Sequence, residues 1–292
     1  MKGMRRILVS IVAIGLLSAC AGVVAPGAAK TDTPQQSLAT TGKEMAKVKS
    51  VRFDATVTLT VPQALADQLR AKAGSHSGFL GSGSTVNLTL SGAVARPDQV
   101  DATITATVGS LTVNTELIAT GGKLYVKNPM TEKWQALPTP QRTGAQKSKA
   151  TLSYQTVLDT AKSLMEIKDQ PSTLDGVSVD HYRIVPDLVK LFALAAAGHT
   201  AENGQAMTAI QNLLQSASVT ADVWTGSNDH LVRRVSYDAT VDLHALSALG
   251  GAAGSSHQGL SIPSGSLAHL SAVVDLHDFN AKVKIVAPTV TP

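Results

Sequence analysis

The segment VRFDATVTLT at residues 51–60 decides the fold class. Val51, Phe53, Ala55, Val57 and Leu59 alternate with Arg52, Asp54, Thr56, Thr58 and Thr60, giving an extended chain one apolar side and one polar side. Successive side chains of a strand point to opposite faces, so this period of two predicts a strand buried on one face only. The alternation returns at Val86, Leu88, Leu90 and Val94, then at Val100, Ala102, Ile104, Ala106 and Val108, through residues 111–119, and at 123–127. The links RPD (96–98), GS (109–110) and GG (121–122) are short and rich in turn formers, which predicts consecutive antiparallel hairpins.

Elsewhere the period changes. Leu38, Met45 and Val48 suggest a short helix over 37–48, and Val157, Leu158, Ala161, Leu164 and Met165 stand at helical spacing within 153–167. After a strand at 177–185, Pro186-Asp187 opens the Ala-rich helical stretch LVKLFALAAAGH, and a further helix is expected over 205–216. Strands resume at 219–224, 231–243 and 267–286. FDATVTL (53–59) is nearly repeated as YDATVDL (237–243), and each copy leads into a long Gly/Ser/His-rich loop, near 61–85 and 244–266. Two copies of a strand–loop–strand unit account for the echo, and chance likeness of Gly/Ser-rich loops accounts for part of it. Because the closing strands resemble the opening one, residues 37–288 are expected to form a single α+β domain.

The N-terminus, MKGMRRILVSIVAIGLLSAC, has a basic start at Lys2, Arg5 and Arg6, an apolar run, and Leu17-Ser18-Ala19 directly before Cys20. The run is shorter than the about 20 residues a spanning helix needs, and the three-part layout is that of an exported, cleaved segment. Residues 1–19 are therefore expected to be a signal peptide, Cys20 a diacylglyceryl-modified first residue, and 20–36 a flexible tether. Cys20 is the sole cysteine, so an internal disulfide is excluded.

The formal charge of +4 looks basic, yet three of the 25 Lys and Arg fall in that leader, leaving 22 against 21 carboxylates. With no Lys/Arg stripe interleaved with aromatics, nucleic acid is not an expected partner. Hydrophobic residues make up 43% of the chain and aromatics 3%, so the interior has to be built from Ala, Val, Leu and Ile. Eight histidines are present, but no H-E-x-x-H, and no pair stands four apart. GSHSG at 74–78 has His76 where a nucleophile elbow has serine, and phosphate-binding glycine fingerprints are missing. An enzyme is not expected, nor is a metal or a diffusible cofactor.

VKSVRFDATVTL, GGKLYVKNPMTEKWQAL, LDGVSVDHYRIV and ADVWTGSNDHLVRRVSYDATV follow one another in that order downstream of the cysteine. This series resembles the LppX/LprA/LprF/LprG family of mycobacterial-type lipoproteins, over roughly residues 37–286. The resemblance implies a LolA-like fold: a strongly curved antiparallel sheet, a half-barrel, with helices over its concave face and acyl chains held between. The two long loops depart from the family pattern. It further implies an extracytoplasmic, membrane-anchored protein that binds the acyl chains of a lipid or lipoglycan and carries it across the cell envelope.

On that basis Val57, Leu59, Leu88, Leu90, Ile104 and Val108 are candidate wall residues from the strands. Leu188, Leu191, Phe192, Leu194, Ile210, Leu213 and Leu214 are their helical counterparts. Phe79, Leu80, Leu260 and Ile262 are candidates for loop lids touching lipid or membrane, although disordered surface loops are the plainer reading of those segments. For any one wall residue the sequence alone favours an ordinary filled core; only the resemblance turns the set toward a cavity. Trp134 and Trp224 read as sheet-packing residues. The expected partners are the membrane, through the anchor, a lipid or glycolipid, and a membrane transporter. The alternative is a surface lipoprotein serving as a structural, sensor or partner-binding module.

Overall fold

The computed structural model describes residues 32–73, 85–137, 154–168, 173–196, 204–246 and 262–290. Along them run α1 (Pro34–Lys47), β1 (Ser50–Thr60), α2 (Gln63–Ala73), β2 (Thr85–Ala95), β3 (Gln99–Val108), β4 (Leu111–Thr120), β5 (Lys123–Lys127) and β6 (Trp134–Leu137). There follow α3 (Tyr154–Thr160), β7 (Ser163–Ile167), β8 (Thr173–Leu174), β9 (Val177–Val185), α4 (Leu188–Ala196), α5 (Gly204–Ser216), β10 (Ser218–Gly226), β11 (Val232–Asp242) and β12 (Leu267–His277). The sheet order is β6-β5-β4-β3-β2-β1-β12-β11-β10-β9-β7, every neighbour antiparallel, with β8 paired to β9 beside it. β6 and β7 stand at opposite edges, so the sheet is open and does not close into a barrel.

Both ends of the fold meet at its centre, where β1 pairs with β2 on one side and β12 on the other. The echo strand β11 flanks the opposite side of β12. The two similar segments are thus parallel to each other with one strand between them. The β4–β5 turn is a tight hairpin with Gly121 and Gly122 at φ 58° and 71°, the left-handed values that glycine adopts without penalty. Gly92 has a different reason to be glycine. A Cβ there would run into the Asp101 carbonyl oxygen of the neighbouring strand β3.

Helix α1 begins with a capping box. Thr33 accepts from the Gln36 backbone N–H at 3.3 Å, and Gln36 Oε1 accepts from the Thr33 N–H at 2.9 Å, with Pro34 opening the first turn. Leu38 from α1 and Leu158 from α3 enter a cluster with Tyr182, Ile184, Ala221, Val223, Val232 and Val235, all at most 9% exposed. This filled core covers the β9–β11 part of the sheet.

Several expectations are corrected. The helix read over 153–167 stops at Thr160, and residues 163–167 form β7. Leu164 lies opposite Ile184 there, and pairing along the free side of β9 outweighs the helical spacing. The strand read over 267–286 ends at His277, because Asp278 and Asn280 take φ of 51° and 60°, a conformation Asp and Asn tolerate. The chain then turns across the start of β1, the Asn280 N–H donating to the Ser50 carbonyl at 2.8 Å. The first long loop, 61–85, contains helix α2, and the second starts with a short 3-10 turn at Leu243–Leu246. Strands β6 and β8 have no counterpart among the sequence expectations.

Candidate functional site: one apolar sheet face in two states

Register alone determines which side chains share a face, since directly opposed residues in an antiparallel pair point the same way. Val57 opposes Leu88, which opposes Ala106; Leu90 opposes Ile104; Val86 opposes both Leu59 and Val108. The six strand residues proposed as a wall therefore lie on one face. That face continues without interruption through Ala272 and Tyr237 to Ala221 and Ile184 at the other side of the sheet. Its reverse is polar: Thr58, Asn87, Thr107 and Thr112 form one cross-strand row, and Thr58 donates to Asn87 Oδ1 at 2.9 Å.

The apolar face exists in two conditions. Under α1 and α3 it is closed, with Ile184 at 4% and Val223 at 5% exposure. Toward β2–β4, Leu88, Leu90, Ile104, Val113 and Leu117 are only half-buried, as is Leu59 of β1. Leu270, opposite Leu59 on the same face, is 38% exposed. Val57 and Val108 are buried, at 8% and 7%. Tyr237 projects from this face, and burial pushes its phenol above the ordinary range, the mark of a site that disfavours charge. Tyr182 is raised for the same leading reason, partly offset by a hydrogen bond with Ser37.

The helical candidates divide as well. Helix α4 is started by Asp187, whose carboxylate accepts from the Lys190 backbone N–H at 3.1 Å and pairs with Lys190 Nζ at 3.3 Å. That backbone bond holds the Asp187 carboxyl below the usual carboxylate range. α4 lies against α3 and α5, and α5 against β11 and the 3-10 turn. Leu191 is buried, and Leu188, Phe192, Ile210, Leu213 and Leu214 are half-buried. Leu194, at 47% exposure, is not covered as Leu191 is. Ile262 is no projecting lid residue: it is 4% exposed, and its carbonyl accepts from His244 Nδ1 at 2.7 Å, pinning the end of its loop to the 3-10 turn. Phe79, Leu80, Leu260 and Cys20 lie outside the described residues.

Sequence reasoning predicted a polar side but had no means of finding which of its residues pair. Asp222 sits between His181 at 2.9 Å and Arg183 at 2.9 Å, and the His181 ring stacks on Trp224 at 4.2 Å. His269 pairs with Asp238, and His277 with Asp54 and Asp278. Apart from the adjacent His277 and Asp278, these partners are remote along the chain and meet through strand register. Among the described residues, no three His, Cys, Asp or Glu side chains group as a metal site, and no helix is long and apolar enough to cross a membrane.

No protein-family model and no curated protein matches the chain. Among solved structures it is similar to the Mycobacterium tuberculosis lipoprotein LppX, with 13% identity and a TM-score of 0.45, covering 87% of this chain and 98% of that one. It is similar to LprF from Mycobacterium bovis, with 14% identity and a TM-score of 0.40, covering 87% and 96%. A LolA superfamily protein from Nitrosomonas europaea follows at 7% identity and a TM-score of 0.24, again covering 87% and 96%. Two of these three carry names from the family that the ordered sequence motifs resemble.

Proposed function

We propose that this chain is a membrane-anchored, extracytoplasmic lipoprotein that shelters the acyl chains of a lipid or lipoglycan and carries it across the cell envelope. The observation that supports the reading is the half-buried state of Leu88, Leu90 and Ile104 on a face that is closed under α1 and α3. A two-chain lipid carries about 30 methylenes, so at about 0.8 kcal/mol each its exposure to water costs on the order of 24 kcal/mol. A carrier offsets that cost with shape and apolarity alone. It needs no catalytic group, and the only covalent addition is the diacylglyceryl group expected on Cys20.

The test is native mass spectrometry with lipid extraction on protein lacking residues 1–20, purified from a lipid-containing host. Co-purified acyl lipid near one per chain supports the carrier and identifies its cargo class. Empty protein that also refuses labelled lipid sinks it and leaves the partner-binding module, for which a wholly filled core is what would be needed.

A further inference from the structure

We infer that the end of the sheet where β1 begins is an electrostatic docking surface for an anionic lipid bilayer. The structure gathers cations there from three separate parts of the chain. Helix α1 ends at this point with Lys43 and Lys47 one turn apart, and Lys49 follows directly. The Arg96 N–H donates to the Lys49 carbonyl at 2.8 Å, which brings in the β2–β3 turn, and its guanidinium donates to the Met45 carbonyl at 3.2 Å. The segment after β12 is tied to the same place. The Lys49 N–H donates to Asn280 Oδ1 at 2.8 Å, and Ser50 Oγ donates to the Ala281 carbonyl at 2.6 Å, setting Lys282 and Lys284 beside the others.

Lys43, Lys47, Lys49, Arg96, Lys282 and Lys284 are all exposed. The local carboxylates are fewer. Glu44 is held by Lys47 at 2.6 Å, Asp278 by Arg52 at 3.5 Å and His277 at 3.2 Å, and Asp98 stands in the β2–β3 turn. Farther across the same end Asp229 is taken by Arg233, with Asp175 and Asp180 nearby. Lys43, Lys49, Lys282 and Lys284 form no ion pair among the described residues.

A second feature selects a lipid surface over a soluble anion. Val286, two residues beyond Lys284, is 59% exposed while neighbouring Ile285 is 7% exposed, so an apolar side chain is presented beside the lysines. Basic charge combined with exposed apolar area is the chemistry of an interfacial contact. The docking rests on neither the acyl-binding reading nor acylation of Cys20. It would hold this end on the bilayer and point the opposite end, with the β3–β4 turn and α2, away from it.

The experiment is vesicle co-sedimentation of non-acylated protein lacking residues 1–20, using phosphatidylglycerol/phosphatidylcholine vesicles and pure phosphatidylcholine vesicles. Binding is expected to the anionic vesicles only and to collapse between 50 mM and 500 mM salt, as screening requires. With roughly a fivefold contribution per cation near such a surface, Lys49→Glu/Lys282→Glu should weaken it at least twentyfold. Lys133→Glu/Lys162→Glu, an equal change in net charge elsewhere, should cost less than threefold. Thermal melting confirms that both variants fold. Equal binding to the two vesicle types, or equal losses in the two variants, overturns the inference.

Discussion

Ile184 and Ile104 stand on the same face of one sheet, yet Ile184 is 4% exposed and Ile104 half-buried. Each belongs to an alternating strand: Ile184 has Leu164 and Ala221 across its two ladders, and Ile104 has Leu90 across one and Thr115 across the other, a local difference too small to account for the contrast. What differs lies above them. α1 and α3 bring Leu38 and Leu158 down onto the β9–β11 side and fill it, whereas β2–β4 carry no counterpart in that core cluster. Among the described residues, the same hydrophobic pattern therefore makes a closed core under α1 and α3 and a partly accessible apolar surface toward β2–β4.

The sharpest way to break this comparison is a pair of truncations. Ile184→Ala is expected to cost about 3 kcal/mol through lost burial and a residual cavity, and Ile104→Ala about 1 kcal/mol, both read from urea unfolding. Equal costs would mean that the β2–β4 face is packed as tightly as the other. Gly92→Val comes next: its Cβ meets main chain rather than a movable side-chain tip, so about 2 kcal/mol should be lost, with a matching fall in Tm. An unchanged Tm would show that β2 and β3 can shift apart there at little cost.

Leu90→Arg/Ile104→Arg places charge on the open half. It should reduce uptake of a fluorescent fatty acid at least tenfold, while Thr58→Arg on the polar reverse leaves uptake unchanged. Loss in both variants would separate lipid uptake from this face. A smaller effect is expected from Thr33→Ala, which removes the capping-box acceptor of α1 and should cost about 1 kcal/mol, lowering the stability of the closed half alone.

The smallest effect concerns Asp187. Its folded carboxyl titrates below the ordinary range, so its support of α4 is fully present above the unfolded value and is lost as pH falls through the lower, folded one. The stability difference between wild type and Asp187→Asn should accordingly begin to shrink as pH falls through about 4, the unfolded value, and vanish only in stronger acid, below the folded one. A difference that persists there would assign the effect to something other than the carboxylate.

The strands were readable because a period of two is local: Val57 and Leu59 declare their side without reference to any partner. Less accessible were the segments whose local signal competes with pairing. Ala161, Leu164 and Met165 suit a helix by spacing, yet the unpaired side of β9 recruits residues 163–167 as a strand. The end of β12 turns on Asp278 and Asn280, residues that allow a left-handed backbone without demanding it. Leu191 and Leu194 look alike in sequence and differ only in what covers them.

By itself, then, the sequence determined the antiparallel strands, their two-faced character and the apolar content of one face, because each is a property of neighbouring residues. The tertiary structure alone decided that β1 and β11 flank the same strand, that His181, Arg183 and Asp222 meet, and that one half of the apolar face is filled while the other is not. These depend on which elements dock across some forty to more than two hundred residues of chain, and burial is a property of that assembly, which no local pattern encodes.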